Sequence, residues 1–245
     1  PSLVRKTWWR PTLPCLTAPD SPMERVFAGH RGFINSLVLS RDENLAFSGD
    51  SSKYIKVWDL ASGECKQTLT IPSPMNRDYS VNTLILLDDG KTLVSSSTPA
   101  GKWESEIRLW NWEDAICLKT FGWSTGKIDE FVCSPDGTKM FFTTKPEKIS
   151  FSGEPIFQLD LSSGNWQVFH PDSHRIAVMK ISADGKTLFT GSFEGKLSMW
   201  DVENRSCIMS LDAHTKGISA LALSNDGSIL VSGARDHCIK IWEVT

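Results

Sequence analysis

Apolar residues in this chain fall into short runs separated by polar turns. In the stretch 213–243 the runs lie at 218–223, 229–232 and 238–242, and the turn residues Asn225, Asp226, Gly227, Arg235, Asp236 and His237 lie between them. Short apolar runs bounded by turn residues predict β-strands rather than helices. Asp-Gly between two such runs is the strongest local hairpin signal, because glycine accepts the positive φ of a tight turn. It recurs as Asp89-Gly90, Asp136-Gly137 and Asp184-Gly185. A fourth run follows the third, as at 207–211 after the turn 202–206. The predicted unit is a four-stranded antiparallel meander.

That unit returns five times, at 29–59, 81–111, 128–160, 176–201 and 213–243. In the first and last copies 28 positions separate His30 from Trp58 and His214 from Trp242, and Ser48 and Ser232 each stand ten positions before the Trp. A period of about 40–45 residues with a Gly-His opening and a Trp-Asp close marks a propeller blade. On these residues the chain resembles the WD40-repeat family over 23–245, which implies an all-β propeller of four-stranded blades. Residues 1–22, with Trp8-Trp9 and several prolines, read as an irregular tail.

The resemblance implies a bracing tetrad of His, Ser or Thr, Asp and Trp in each blade. The fifth copy has all four members, as His214, Ser232, Asp236 and Trp242. The first has His30, Ser48 and Trp58 with Ser52 at the Asp position, and the second has Ser95 and Trp110 with Arg77 near the His position. The fourth has Thr190, Glu194 and Trp200, with Asp172 at the His position. The third is the most divergent: Leu159 stands for the Trp, Phe142 for the Ser, and Trp166 is expected to fill the space Leu159 leaves. The His residues are expected to brace the fold, not to catalyse.

Residues 23–27 precede Gly29-His30 as 207–211 precede Ala213-His214, and no fourth run follows Trp242. The run 23–27 is therefore expected to complete the last blade and close the ring, which removes exposed sheet edges. Five blades are visible; rings of this family commonly have seven, and a parent ring with further blades stays open. The chain opens on Pro1 rather than Met, as a processed, trimmed or excised chain does.

Composition narrows the function. A net charge of −3 is too small for long-range attraction to nucleic acid or a membrane surface, and no apolar run is long enough to cross a bilayer as a helix. Cys65, Cys117 and Cys207 each lie seven positions after a blade's Trp. One site repeated around a ring cannot supply bridging pairs, so the three are expected as buried thiols of a reducing, intracellular compartment (cytoplasm or nucleus). No metal-ligand spacing, phosphate loop or nucleophile elbow is present, so neither cofactor nor metal is expected.

Extra length falls in the loops between strands two and three and between successive blades, which share one rim. Residues 98–106 and 145–155 are insertions, and 71–79 and 122–127 are long entry loops. The resemblance implies that this rim is where partners dock. The candidate binding residues are Trp103, Trp123, Tyr79 and Phe151, beside Arg77, Lys102 and Lys148, with Arg31, Lys216 and Arg235 further round. The expected function is a non-catalytic protein-interaction scaffold within a hetero-complex, with other proteins as partners. A receptor for acidic or phosphorylated peptides serving an attached enzyme is a second reading. A propeller enzyme or nucleotide binder is a third, which no convergent catalytic set favours.

Overall fold

The computed structural model describes residues 26–73, 78–124, 126–145, 155–170 and 174–244. Every strand pairing among them is antiparallel, and they contain no helix. Blade one is β1 (Ile34–Leu39), β2 (Leu45–Asp50), β3 (Tyr54–Asp59) and β4 (Cys65–Thr70). Blade two is β5 (Tyr79–Leu86), β6 (Thr92–Pro99), β7 (Ser105–Asn111) and β8 (Ile116–Trp123). Blade three is β9 (Lys127–Cys133), β10 (Lys139–Lys145), β11 (Ile156–Asp160) and β12 (Trp166–His170). Blade four is β13 (Ile176–Ile181), β14 (Thr187–Ser192), β15 (Lys196–Asp201) and β16 (Ser206–Asp212). Blade five is β17 (Ile218–Leu223), β18 (Ile229–Ala234) and β19 (Ile239–Glu243). Each sheet is a meander in sequence order, as the hairpin signals predict.

The first hairpin of a blade is shaped by a repeated serine and aspartate. Ser40, Ser134, Ser182 and Ser224 each donate to the carboxylate two residues on, at 2.5 Å. The same hydroxyl oxygen accepts the N–H five residues on, which fixes the register of the pair. The Ser224 hydroxyl, with the N–H and hydroxyl of Ser228, holds Asp226 at a pKa of about 2.

The core lies between blades, not within them. Phe47, Ile55 and Leu69 of blade one pack with Val81, Leu84 and Trp110 of blade two. Val94 and Ile107 of blade two join Ile128, Phe131 and Met140 of blade three. Phe141 and Ile156 join Met179 and Leu188 of blade four, and Phe189 and Leu197 join Ile218 and Leu221 of blade five. Two junctions use a glycine socket. A Cβ at Gly49 would lie 2.5 Å from Val81, and one at Gly191 would lie 2.7 Å from Ile218. The missing side chain lets the next blade's inner strand come close.

Among the described residues no core cluster joins blade five to blade one. Gly233, the third glycine in the socket position, would meet only Ala220 of its own blade, at 4.0 Å. Ile34, which corresponds to Val81 and Ile218, is 57% exposed. The strand expected at 23–27 lies largely outside the described residues. Val26 and Phe27 are described and are not strand; the Phe27 ring sits edge-on to Trp58, 5.6 Å between centroids.

The cysteine expectation is overturned. Cys65 and Cys207 are exposed and Cys117 is half-buried. Each is the first or second residue of an outer strand, at the bulge opposite its Trp; Cys65 and Cys207 stand exposed there, while Cys117 packs at the margin of the core shared by blades one and two.

Candidate interaction site

The braces decide which polar residues are free for other work. In blade five His214 Nδ1 lies 3.0 Å from Asp236 Oδ2 and Nε2 lies 2.8 Å from Ser232 Oγ, which also accepts the Trp242 indole N–H at 2.9 Å. An ionised carboxylate only accepts, so Nδ1 carries the proton and Nε2 accepts the serine hydroxyl. The chain of donors runs from Trp through Ser and His to Asp and uses every polar atom. Burial works against the Asp236 charge, but the N–H groups of Cys238 and Thr215 and the His214 ring outweigh it and hold the carboxyl at about 2. No nitrogen of His214 is left to move a proton.

Blade one is braced the same way, and not by Ser52. Asp50, fully buried, accepts from His30 Nδ1 at 2.9 Å, while Ser48 joins His30 and Trp58 at 2.6 and 2.7 Å. Asp50 also caps the turn by accepting the N–H groups of Ser52 and Tyr54. The sequence signal was an Asp ending a strand just before a polar turn.

In blades two and four the Trp–hydroxyl pair survives alone: Trp110 donates to Ser95 and Trp200 to Thr190, both at 2.9 Å. Blade two adds a buried cation. Arg108 is ion-paired with Glu106, donates to Ser97 at 2.8 Å and stacks over Tyr79 at 5.5 Å. In blade four Glu194 is exposed rather than bracing, Ser192 caps the turn, and the His170 ring lies 4.3 Å from Trp200. Asp172 and Arg77 lie outside the described residues.

Blade three replaces the tetrad with aromatic packing. Trp123 sits 4.8 Å from both Phe142 and Phe157 and 4.9 Å from Trp166. It is Trp123 that fills the space; Trp166 is 56% exposed on the outer strand, contrary to expectation.

These placements redraw the rim. Trp123 and Tyr79 are 8% and 4% exposed, so neither is a docking anchor. Trp103, in the β6–β7 loop, is 41% exposed, and the Lys127 ammonium of blade three lies 4.8 Å over its ring. Lys102 is exposed beside it, and Lys145 pairs with Asp129. Phe151 and Lys148 lie outside the described residues. Arg31 is exposed before β1, and Lys216 and Arg235 are exposed on the loops of blade five. Among the described residues the expected aromatic group is thus reduced to one exposed Trp, joined by a lysine that the sequence had not singled out.

Comparison with known proteins matches this geometry to a family. The family described as "WD domain, G-beta repeat" matches residues 22–59, 165–201 and 205–243. Over those segments the chain carries WD40 repeats. It is 24% identical over 230 residues to autophagy-related protein 16 of Arabidopsis thaliana, covering 93% of this chain and 41% of that protein. It is 25% identical over 231 residues to the guanine nucleotide-binding protein subunit beta of Oryza sativa subsp. indica, covering 90% of this chain and 59% of that one. With subunit beta-2 of Nicotiana tabacum identity is 28% over 239 residues, covering 91% and 59%. This WD40 chain therefore spans well under two thirds of those relatives.

The matched segments take in blades one, four and five but not the core of blade two or the aromatic centre of blade three. Each matched repeat has its Trp–hydroxyl pair ten positions apart, whereas in unmatched blade two Trp110 pairs with Ser95 across fifteen. The two inserted rim loops lie in the blades it passes over. Among the described residues no His, Cys, Asp and Glu group is arranged to hold a metal, and no helix is long and apolar enough to cross a membrane.

Proposed function

We propose that this WD40 chain is a non-catalytic interaction scaffold that docks partner proteins on the rim over blades two and three, as part of a hetero-complex. The family supports the scaffold reading, and the rice and tobacco relatives are subunits by name. The carrying observation is Trp103, an exposed indole on a short loop with a lysine stacked on it. Aromatic anchors with cationic neighbours dominate interface energetics, while strand residues of a propeller are spent on the core. Every described His that a hydrolytic reading would enlist as part of a His–Ser–Asp set is bonded at both ring nitrogens.

The test compares wild type and Trp103→Ala against a partner identified by co-purification and then re-measured as a pure pair. Binding is expected to weaken by about 2 kcal/mol, roughly thirtyfold, with no change in melting temperature. A variant that melts lower and binds as before would make Trp103 a lid on its own blade and remove this docking site.

A further inference from the structure

The exposed thiol of Cys65 has an amine beside it. In blade one Lys56 on β3 stands opposite Thr68 on β4, and the bulge after Val57 sets Trp58 opposite Cys65. Alternate residues of a strand share a face with their cross-strand partners, so Lys56, Trp58, Thr68 and Cys65 gather on one side of the pair. Lys56 Nζ lies 3.9 Å from Cys65 Sγ and donates to Thr68 Oγ1 at 3.1 Å, and that hydroxyl lies 3.6 Å from the same sulfur. The Lys56 ammonium also lies 5.8 Å over the Trp58 ring, whose indole N–H is anchored on Ser48 at 2.7 Å. A ring face attracts a cation and holds a long side chain in one place. The amine thus rests on a support fixed by the brace of its own blade.

The same outer-strand thiol recurs in blades two and four, with different neighbours. In blade two Arg108 stands opposite Thr120 as Lys56 stands opposite Thr68, and Cys117 Sγ lies 3.4 Å from the Thr120 hydroxyl. A guanidinium keeps its proton and is no nucleophile, and this one is buried against Glu106. In blade four the position belongs to Ser198, which bonds Ser210 at 2.8 Å. Of the three blades with this thiol, blade one alone places a lysine there, and its Cys65 is open to solvent while Lys56 is half-buried.

We propose that Lys56 is an acylation site served by Cys65, which takes the acyl group from a small acyl thioester and passes it to the amine. The Cys65 thiolate attacks the thioester carbonyl and the donor's sulfur leaves as a thiolate, so one thioester is exchanged for another. The Lys56 amine, having given one proton to solvent, then attacks the acyl carbon, which sits one bond from Sγ. The carbon–sulfur bond breaks, the nitrogen gives its extra proton to solvent, and an amide forms as the Cys65 thiolate is regenerated. Holding amine and acyl group side by side replaces a bimolecular encounter by an intramolecular one. The product is neutral at Lys56, so the cation over the Trp58 ring is lost.

The test incubates the folded protein with acetyl-coenzyme A and follows Lys56, Lys66 and Cys65 by peptide mass spectrometry. Lys66 is the neighbour of Cys65 in sequence, but its ammonium lies 3.9 Å from Asp59, so it reports acylation that needs no thiol contact. Lys56 is expected to be acetylated at least about tenfold faster than Lys66. That excess is expected to vanish in Cys65→Ser, and equally in wild type whose Cys65 has been capped with iodoacetamide, a control that leaves the folded sequence unaltered. Lys56→Arg is expected to accumulate acetyl on Cys65 as a hydroxylamine-labile thioester. Acetylation of Lys56 no faster than that of Lys66, or unchanged when the thiol is removed or capped, would overturn the proposal. So would Lys56→Arg that gathers no acetyl on Cys65.

Discussion

Blade three and blade five solve the same packing problem with opposite chemistry. Blade five joins His214, Ser232, Asp236 and Trp242 in a closed chain of hydrogen bonds. Blade three fills the corresponding space with its own Phe142 and Phe157 and with Trp123 from the end of β8 in blade two, whose indole N–H has no described partner. The comparison shows that the brace serves to fill and orient the interior between strands. Either hydrogen-bonded or aromatic side chains accomplish it, but they fail in different ways.

The largest expected effect is in blade three. Trp123→Ala opens a cavity among three aromatic rings and is expected to cost about 3–5 kcal/mol in a denaturant melt. A cost below about 1 kcal/mol would show that blade three does not depend on its aromatic centre. His214→Ala in blade five is expected to cost less, about 1–3 kcal/mol, because Asp236 keeps its two N–H donors and only the His and Ser partners are lost.

One carboxyl in each blade carries a pH dependence of opposite sign. Asp236 has a folded pKa of about 2 against an ordinary 3.8, so its contribution is complete above the ordinary value and is lost as pH falls through about 2. Asp236→Asn is expected to flatten that part of the stability profile, and an unchanged acid limb would contradict the assignment. Glu130, on β9 of blade three, has the opposite sign. Burial pushes its carboxyl up although it accepts the N–H of Met179 in blade four. Its own contribution is therefore complete below the ordinary 4.5 and is lost as pH rises through the higher folded value. Glu130→Gln keeps an acceptor without a charge and is expected to raise the melting temperature slightly at neutral pH; a fall would mean that the charge itself is needed.

Thiol chemistry gives the gentlest probe. Cys238 of blade five is exposed, while burial pushes the Cys133 thiol of blade three up to about 12. A bulky maleimide is expected to label Cys238 in the native protein and Cys133 only on unfolding. Equal native rates would mean that blade three opens as readily as blade five.

Much of this fold was legible in the chain, because strand period and turn chemistry are local. The Asp-Gly turns landed where expected in blades two to five, and the Trp that closes a third strand with the hydroxyl ten positions earlier did so in blades one, four and five. What the sequence could not show was direction. Cys65 and Trp58 pair across a bulge, and the thiol there is exposed. Tyr79 and Trp123 lie at loop boundaries, where an aromatic reads equally well as anchor or as core. Only the packed geometry separated them from Trp103. Asp50 was missed because its role depends on where the His30 ring ends up, 20 positions away in sequence.

One glycine carries a last consequence. At Gly49 and Gly191 the lock is filled by the next repeat's Val81 or Ile218, while among the described residues Gly233 meets only Ala220 and Ile34 stands exposed. The described array thus has polarity, like a bar magnet. Each junction in such a stack contributes its own nearest-neighbour energy. Whatever seats a branched apolar side chain on Gly233 adds one more junction of the same kind, and the cooperativity of the whole array grows by that step.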